Sequence, residues 1–231
     1  MKQARYSLWL QWIFALMLPI LLVNINLRLV TGHWFVRWEY GKPGFPPDPY
    51  GLSTAERIRL ATVCQDYLAT NADISLLADL ELTEGGLAFN ARELRHMSDV
   101  QAVYHGIVVA GIVAAVVCIG VGAVWVLSGT ANRHLPTALV NGSLVTLGLL
   151  AAVGGFMLVS WGEFFTTFHR IFFTGETWIF PNSDTLIRLF PTRFWIDIAA
   201  TLVGLLVIQS ITLGVISRSC RPTARHAPSS G

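Results

Sequence analysis

The sequence predicts an all-α membrane protein, with four transmembrane helices and a small extracytoplasmic cap of mixed helix and hairpin. Three observations carry that expectation. Of 231 residues, 53% are hydrophobic and only 13% charged, against roughly 25% charged in an ordinary soluble domain. Mean hydropathy is +0.55. Four apolar runs, about 8–27, 106–127, 138–165 and 195–217, each supply the ~20 residues that ~30 Å of hydrocarbon requires. No ten-residue alternation suggests a barrel, so helices are the spans that can bond every backbone group internally.

The first run follows Lys2 and Arg5, as a secretory signal would. It is longer than a signal core, contains Pro19 and ends in NINLRLVTGHW without a small-x-small cleavage site, so it reads as a retained helix. With four spans, both termini share a side with the 128–137 loop. That side holds Lys2, Arg5, Arg133, Arg218, Arg221 and Arg225 and no acid. All fourteen acids fall in the two opposite loops or at the adjoining helix ends. The positive-inside rule then places both termini in the cytoplasm and makes residues 28–105 and 166–194 the outer cap. The end of the chain, 218–231, reads as a disordered cytoplasmic tail, and His134 and His226 as solvated residues on the inner side.

Composition also excludes some functions. A net charge of +2 points to no nucleic acid. Cys64, Cys118 and Cys220 fall in three different compartments, so no intramolecular disulfide is expected, and no CxxC marks a metal or redox site.

Within the first outer loop, GKPGFPPDPYG (41–51) is too rich in Pro and Gly for regular structure and predicts a rigid connector. Ser53 and Glu56 have capping-box spacing for a helix whose apolar face carries Ile58, Ala61, Cys64, Tyr67 and Leu68. Gly85–Gly86, between short alternating segments, is consistent with a hairpin turn. Asn90 and Glu93 then cap a helix that can run unbroken into the second span. On it Glu93, His96 and Asp99 share a face through i, i+3 spacing. His169 falls at or just beyond the outer end of the third span, so His96 and His169 meet the same membrane surface. The aromatic residues are one-sided, crowding the outer boundary from Trp34 to Tyr40 and from Trp161 to Trp195. A belt serving only as an anchor would populate both interfaces, so the excess suggests an outward pocket for an acyl chain or lipid headgroup.

Each of these residues also has a structural reading. Interfacial histidines are common, Glu93 can be a cap alone, and His33 and His105 lie on the same side. Glu163 near the end of an apolar span needs a partner, for which Arg28 is one choice. ExxHxxD on one helix face, with His169 and Glu163, offers zinc-compatible ligands, but HExxH and paired CxxC signatures are absent. Three functions therefore remain open on residue chemistry: an intramembrane acyltransferase, a non-catalytic tetraspan assembly or lipid-binding protein, and a metal-dependent outer-leaflet hydrolase.

YGLSTAER…DYL, then ELRHMSDV before the second span, then FHRIFF…W…DTLIRLFPTRFW after the third, resembles the bacterial lipoprotein intramolecular transacylase family (Lit). The likeness covers most of the chain in the same order; the Pro-rich 41–49 segment matches less clearly. The resemblance implies a multi-pass protein of the bacterial cytoplasmic membrane with the cap outside, two catalytic histidines that map onto His96 and His169, and no cofactor or metal. It places Phe172, Trp178, Asp99 and Asp184 around the site; residue chemistry adds Glu93, Glu163 and Arg170 as supporting candidates, and the aromatic excess adds Phe168 to the substrate pocket. The implied partners are a diacylglyceryl-modified lipoprotein and membrane lipids. The reaction would move the sn-2 acyl chain onto the α-amino group of the N-terminal cysteine, leaving a lyso-form lipoprotein. Direct attack closes an eight-membered ring, so an enzyme gains most by holding the substrate folded. One group must take a proton from the amine and one must supply a proton to the glycerol oxygen, roles histidine can fill near neutral pH. Arg92, Arg95 or Arg170 are candidate stabilisers of the oxyanion or of headgroups.

Overall fold

The computed structural model describes residues 2–219. The expected tail lies outside the described residues from position 220 onward, with Cys220, Arg221, Arg225 and His226; residues 218 and 219 close the last helix. Among the described residues the elements are α1 (Lys2–Val30), α2 (His33–Tyr40), α3 (Thr54–Ala69), α4 (Ser75–Ala78), α5 (Ala91–Leu127), α6 (Ala131–Val159), α7 (Trp161–Phe172), α8 (Thr185–Leu189) and α9 (Thr192–Ser219). Four of them, α1, α5, α6 and α9, are long and apolar enough to cross a membrane. The Gly85–Gly86 turn forms, with both glycines at positive φ and an antiparallel bridge between Glu81 and Leu87, but no strand extends from it among the described residues.

The residues fall into two compact units. One gathers the chain up to Val23, Ala110–Val153 and the chain from Leu205. Its buried clusters are Phe14, Cys118, Val121, Trp125 and Ala138, and Leu18, Leu22 and Leu206. Gly142 allows α6 to approach α1: a Cβ there would lie 2.7 Å from Leu18 Cδ2 and 3.1 Å from the Ala15 carbonyl. His134 is not a solvated loop residue. It is buried in the first turns of α6, its Nδ1 2.6 Å from Gln11 Nε2. A polar ring in an apolar helix needs such a partner.

The other unit comprises Asn24–Val109 and Gly154–Gly204. Its core is Leu60, Cys64, Tyr67, Leu77, Ala88, Phe89, Met97, Leu186 and Leu189, so the apolar face of α3 packs on neighbouring elements. Ser53 Oγ caps α3 by accepting the Glu56 N–H at 3.1 Å. The Glu56 carboxylate turns instead to Arg59 and to the N–H and hydroxyl of Thr83. The Arg59 guanidinium holds that carboxyl down to about 2. The Pro-rich connector is pinned at two points. Arg57 donates to the Pro46 carbonyl at 2.8 Å and lies over the Tyr40 and Phe45 rings. Asp48, with a fully buried carboxylate, accepts from the Leu52 N–H at 2.7 Å and from Arg188 of α8 at 2.9 Å. Burial opposes its charge, yet these donors keep its carboxyl below the usual range.

Two features of the helices bear directly on the site. The 37 residues of α5 extend ~55 Å at 1.5 Å per residue, well beyond the hydrocarbon thickness. The turns over 91–105, with Arg92, Glu93, Arg95 and Asp99, precede the uncharged apolar run 106–127 and stand outside it. The third apolar run does not continue as one helix to 165. It breaks at Ser160, whose backbone is extended and whose hydroxyl accepts the Glu163 N–H, starting α7 afresh.

Candidate active site

The second unit brings His96 and His169 together. Their rings are nearly parallel, with centroids 6.2 Å apart and planes 23° apart. Position 96 lies in the second turn of α5, which a capping box starts. Asn90 Oδ1 accepts the N–H groups of Arg92 and Glu93, and Glu93 Oε2 accepts the Asn90 N–H at 2.8 Å. Position 169 lies in the last turn of α7.

An aromatic cage surrounds both rings. His96 meets Phe173 and Phe180 edge to face at 5.0 and 5.4 Å. His169 lies 4.0 Å from the Phe165 ring, 4.8 Å from Trp178, and 5.5 Å from Phe168 and Phe173. Phe165 and Phe173 stand four residues either side of His169 and so share its helix face. Burial makes the charged imidazolium unfavourable in this cage. It pushes His96 down to about 4, with the neighbouring His169 adding to the effect. Burial also lowers His169, partly offset by its bond to a carbonyl. That bond runs from His169 Nδ1 to the Phe165 oxygen at 2.7 Å. A carbonyl only accepts, so Nδ1 carries the hydrogen and the neutral ring has its lone pair at Nε2. His96 Nδ1 is buried without a hydrogen-bond partner among the described residues.

The acids take up other tasks. Glu93, only 2% exposed, accepts from the Asn90 N–H on one oxygen and the Leu186 N–H on the other, both at 2.8 Å. It thereby ties the first turn of α5 to the first turn of α8. Burial pushes its carboxyl upward against the backbone N–H bonds that favour the anion. Asp184, just before α8, accepts from Arg92 at 3.1 Å. Among the described residues Asp99 makes no hydrogen bond or ion pair with either imidazole. Glu163 is exposed at the third position of α7, with no ion pair to Arg28 among the described residues. Arg170 is likewise exposed. Among the described residues, no three His, Cys, Asp or Glu side chains converge to hold a metal ion. His33 is occupied by Asp66 at 2.6 Å and His105 by the Leu68 carbonyl at 3.1 Å.

Of the pocket residues expected from the sequence, Trp178 and Phe168 touch the His169 ring, and Phe172 packs on Phe168 at 4.9 Å. Phe165, Phe173 and Phe180, part of the one-sided aromatic excess, complete the cage. A cavity of about 320 Å³ opens beside the first turns of α5, lined by Ala91, Arg92, Arg95, Glu176 and Thr177. A desolvated pair of bases against an aromatic wall suits proton transfer on a lipid-borne group.

Residues 10–195 match the family model of the lipoprotein intramolecular transacylase Lit. The chain belongs to this family. It is 27% identical over 208 residues to an uncharacterized protein of Aquifex aeolicus (strain VF5), covering 87% of this chain and 93% of that one. The membrane-integral Lit of Bacillus cereus has the same fold, with a TM-score of 0.78 at 17% identity over 94% of this chain and 96% of the other. Two substituted forms of that protein superpose with TM-scores of 0.75. The chain is thus a membrane-integral enzyme of the lipoprotein transacylase family.

Proposed function

We propose that this enzyme moves the sn-2 acyl chain of a diacylglyceryl-modified lipoprotein onto the α-amino group of its N-terminal cysteine, using His96 and His169 for acid–base transfer. The observation that carries the reading is the stacked, desolvated histidine pair, with one tautomer set by the Phe165 carbonyl.

His169 is the base. Its Nδ1–H is committed to the Phe165 carbonyl, which leaves the lone pair at Nε2, and its lowered pKa keeps it neutral at working pH. The amine nitrogen attacks the ester carbonyl and gives its proton to Nε2. The tetrahedral intermediate then expels the glycerol oxygen, which needs a proton. His96 is too desolvated to hold a proton in advance. It acquires the one released to His169, through the folded substrate, and is then a strong acid toward the departing alkoxide. The aromatic cage excludes water, which would otherwise intercept the ester, and holds the eight-membered ring closed. No serine or cysteine nucleophile is required, because the substrate supplies its own amine.

The supporting assignment of Glu93, Asp184 and Arg92 is to position α5 against α8, and the outward aromatic surface of α7, with Phe168 and Phe172, meets the membrane lipids. The charge distribution along the chain supports insertion in the bacterial cytoplasmic membrane with both termini inside and the cap outside. The test is tandem mass spectrometry of a lipoprotein's N-terminal peptide from cells with and without this enzyme. Transfer of an acyl chain to the cysteine nitrogen, abolished by His96→Ala and by His169→Ala in proteins that still fold, is the expected result. Acyl chains left on the glycerol by the folded wild type would sink the reading.

A further inference from the structure

Two adjacent polar groups, one on a ring beside His169 and one lining the neighbouring cavity, have no bonding partner among the described residues. The indole Nε1 of Trp178 and the hydroxyl of Thr177 are buried without a hydrogen-bond partner among the described residues. They belong to the same turn, closed by the bond from the Ile179 N–H to the Glu176 carbonyl at 3.1 Å. Thr177 lines the cavity beside α5, and the Trp178 ring lies 4.8 Å from that of the base, His169. Buried donors in native structures are almost always paired, so an orphan at a reactive site calls for a ligand atom to fill it.

The transacylase reading supplies that atom. When the amine adds to the ester, the carbonyl π pair moves onto oxygen, and this oxyanion needs a donor already in place. The arginines expected for that task are poorly suited. Arg92 is held by Asp184 and is 47% exposed; Arg95 and Arg170 are exposed as well. A solvated charge is screened, whereas a fixed dipole in a dry site acts at nearly full strength.

We propose that the Trp178 indole N–H, beside His169, donates a hydrogen bond to the acyl carbonyl oxygen and holds the oxyanion of the tetrahedral intermediate. Thr177 offers a second donor from the preceding residue. The bond that forms is N–C, the bond that breaks is C–O to glycerol, and the carbonyl reforms as the oxyanion pair returns. The amine proton ends on the glycerol oxygen by way of the histidines. Trp178 gains and loses nothing; it is a catalytic residue by contact with the reacting oxygen. This assignment rests on the transacylase reading.

Trp178→Phe tests it, since the ring that packs on His169 is kept and the N–H removed. The full-length enzyme in lipid is assayed with a synthetic diacylglyceryl lipopeptide, alongside wild type and His169→Ala. The expected result is a kcat lowered about 100-fold, the range for loss of one oxyanion donor, with KM within twofold, an unchanged melting temperature and unchanged binding of an ether-linked lipopeptide that lacks the carbonyl. Thr177→Val gives a smaller loss of the same kind. A Trp178→Phe enzyme within threefold of wild type in kcat overturns the assignment. So does a loss that appears in KM, ether-analogue binding or melting temperature, because the ring and not its N–H would then matter. An inactive, folded wild type overturns the transacylase reading and this assignment together, which keeps the two failures distinct.

Discussion

Glu93 separates positioning from chemistry more cleanly than any other acid near the histidines. Its two carboxylate oxygens accept the backbone N–H groups of Asn90 and Leu186, each at 2.8 Å, at 2% exposure. A hydrogen bond to a charged group contributes about 1.5–3 kcal/mol, and a donor left buried without its acceptor loses a similar amount. Glu93→Ala orphans the buried Leu186 N–H, leaves the part-buried Asn90 N–H to water and loosens the tie between α5 and α8, so it should cost about 2–4 kcal/mol. Glu93→Gln keeps one acceptor but turns an NH₂ toward the other N–H, so it should cost about half as much or more. Thermal unfolding in lipid or detergent reads the loss, and hydrogen exchange at the Leu186 amide localises it. Because His96 sits one turn further along α5, activity should fall with stability and recover on cooling, which His96→Ala would not do. If Glu93→Gln melted like wild type yet lost activity with an altered pH profile, Glu93 would belong to the proton transfer and the positioning account would be wrong.

Other outcomes follow from the same geometry. His169, the proposed base, is lowered below its ordinary value, so its neutral form is already present near pH 7 and is lost only as pH falls through its own pKa. The amine, with a pKa of about 7.7–8.0, must also be neutral. kcat/KM should therefore rise about tenfold per pH unit between roughly 6.5 and 7.7 and then level off, with a steeper limb in acid; a profile flat across that interval would contradict the assignment. Asp48→Ala leaves Arg188, whose side chain is only 12% exposed, without its counter-charge, and should destabilise the protein by about 3–5 kcal/mol as read by chemical or thermal unfolding. Gly142→Ala drives a methyl to 2.7 Å from Leu18 Cδ2 and should cost about 1–3 kcal/mol; Leu18→Ala in the same chain should restore part of the loss, and an unperturbed single variant would refute the close approach.

The four long helices were legible because hydropathy is a local, additive signal that survives without knowledge of packing. The break at Ser160 was not read, although S-x-x-E at 160–163 spells a helix start. It lies inside an apolar run, and α7 continues that apolarity on one face. Glu163 consequently read as an acid needing a partner, when its position is that of a capping residue. The i, i+3 spacing placed Asp99 near His96 in angle, but sharing a face does not make a hydrogen bond. The same helical arithmetic applied at ±4 from His169 would have marked Phe165 and Phe173. Trp178 and Asp184 were marked by the family resemblance and Arg92 as a candidate donor, whereas Thr177 and the pairing of Arg92 with Asp184 had no local signal. They reach the site only through tertiary packing across the loop between α7 and α8.

The most direct test of the central claim is a crossover experiment with the purified enzyme in lipid. Two diacylglyceryl lipopeptides of different mass are mixed, one carrying a deuterated sn-2 chain, and the products are fragmented by tandem mass spectrometry. The account predicts deuterated acyl on the cysteine nitrogen of the labelled peptide only, with its glycerol sn-2 position free, and no product when His96 or His169 is replaced by Ala. Label on the nitrogen of the other peptide, free deuterated fatty acid, or transfer surviving loss of both histidines would contradict it.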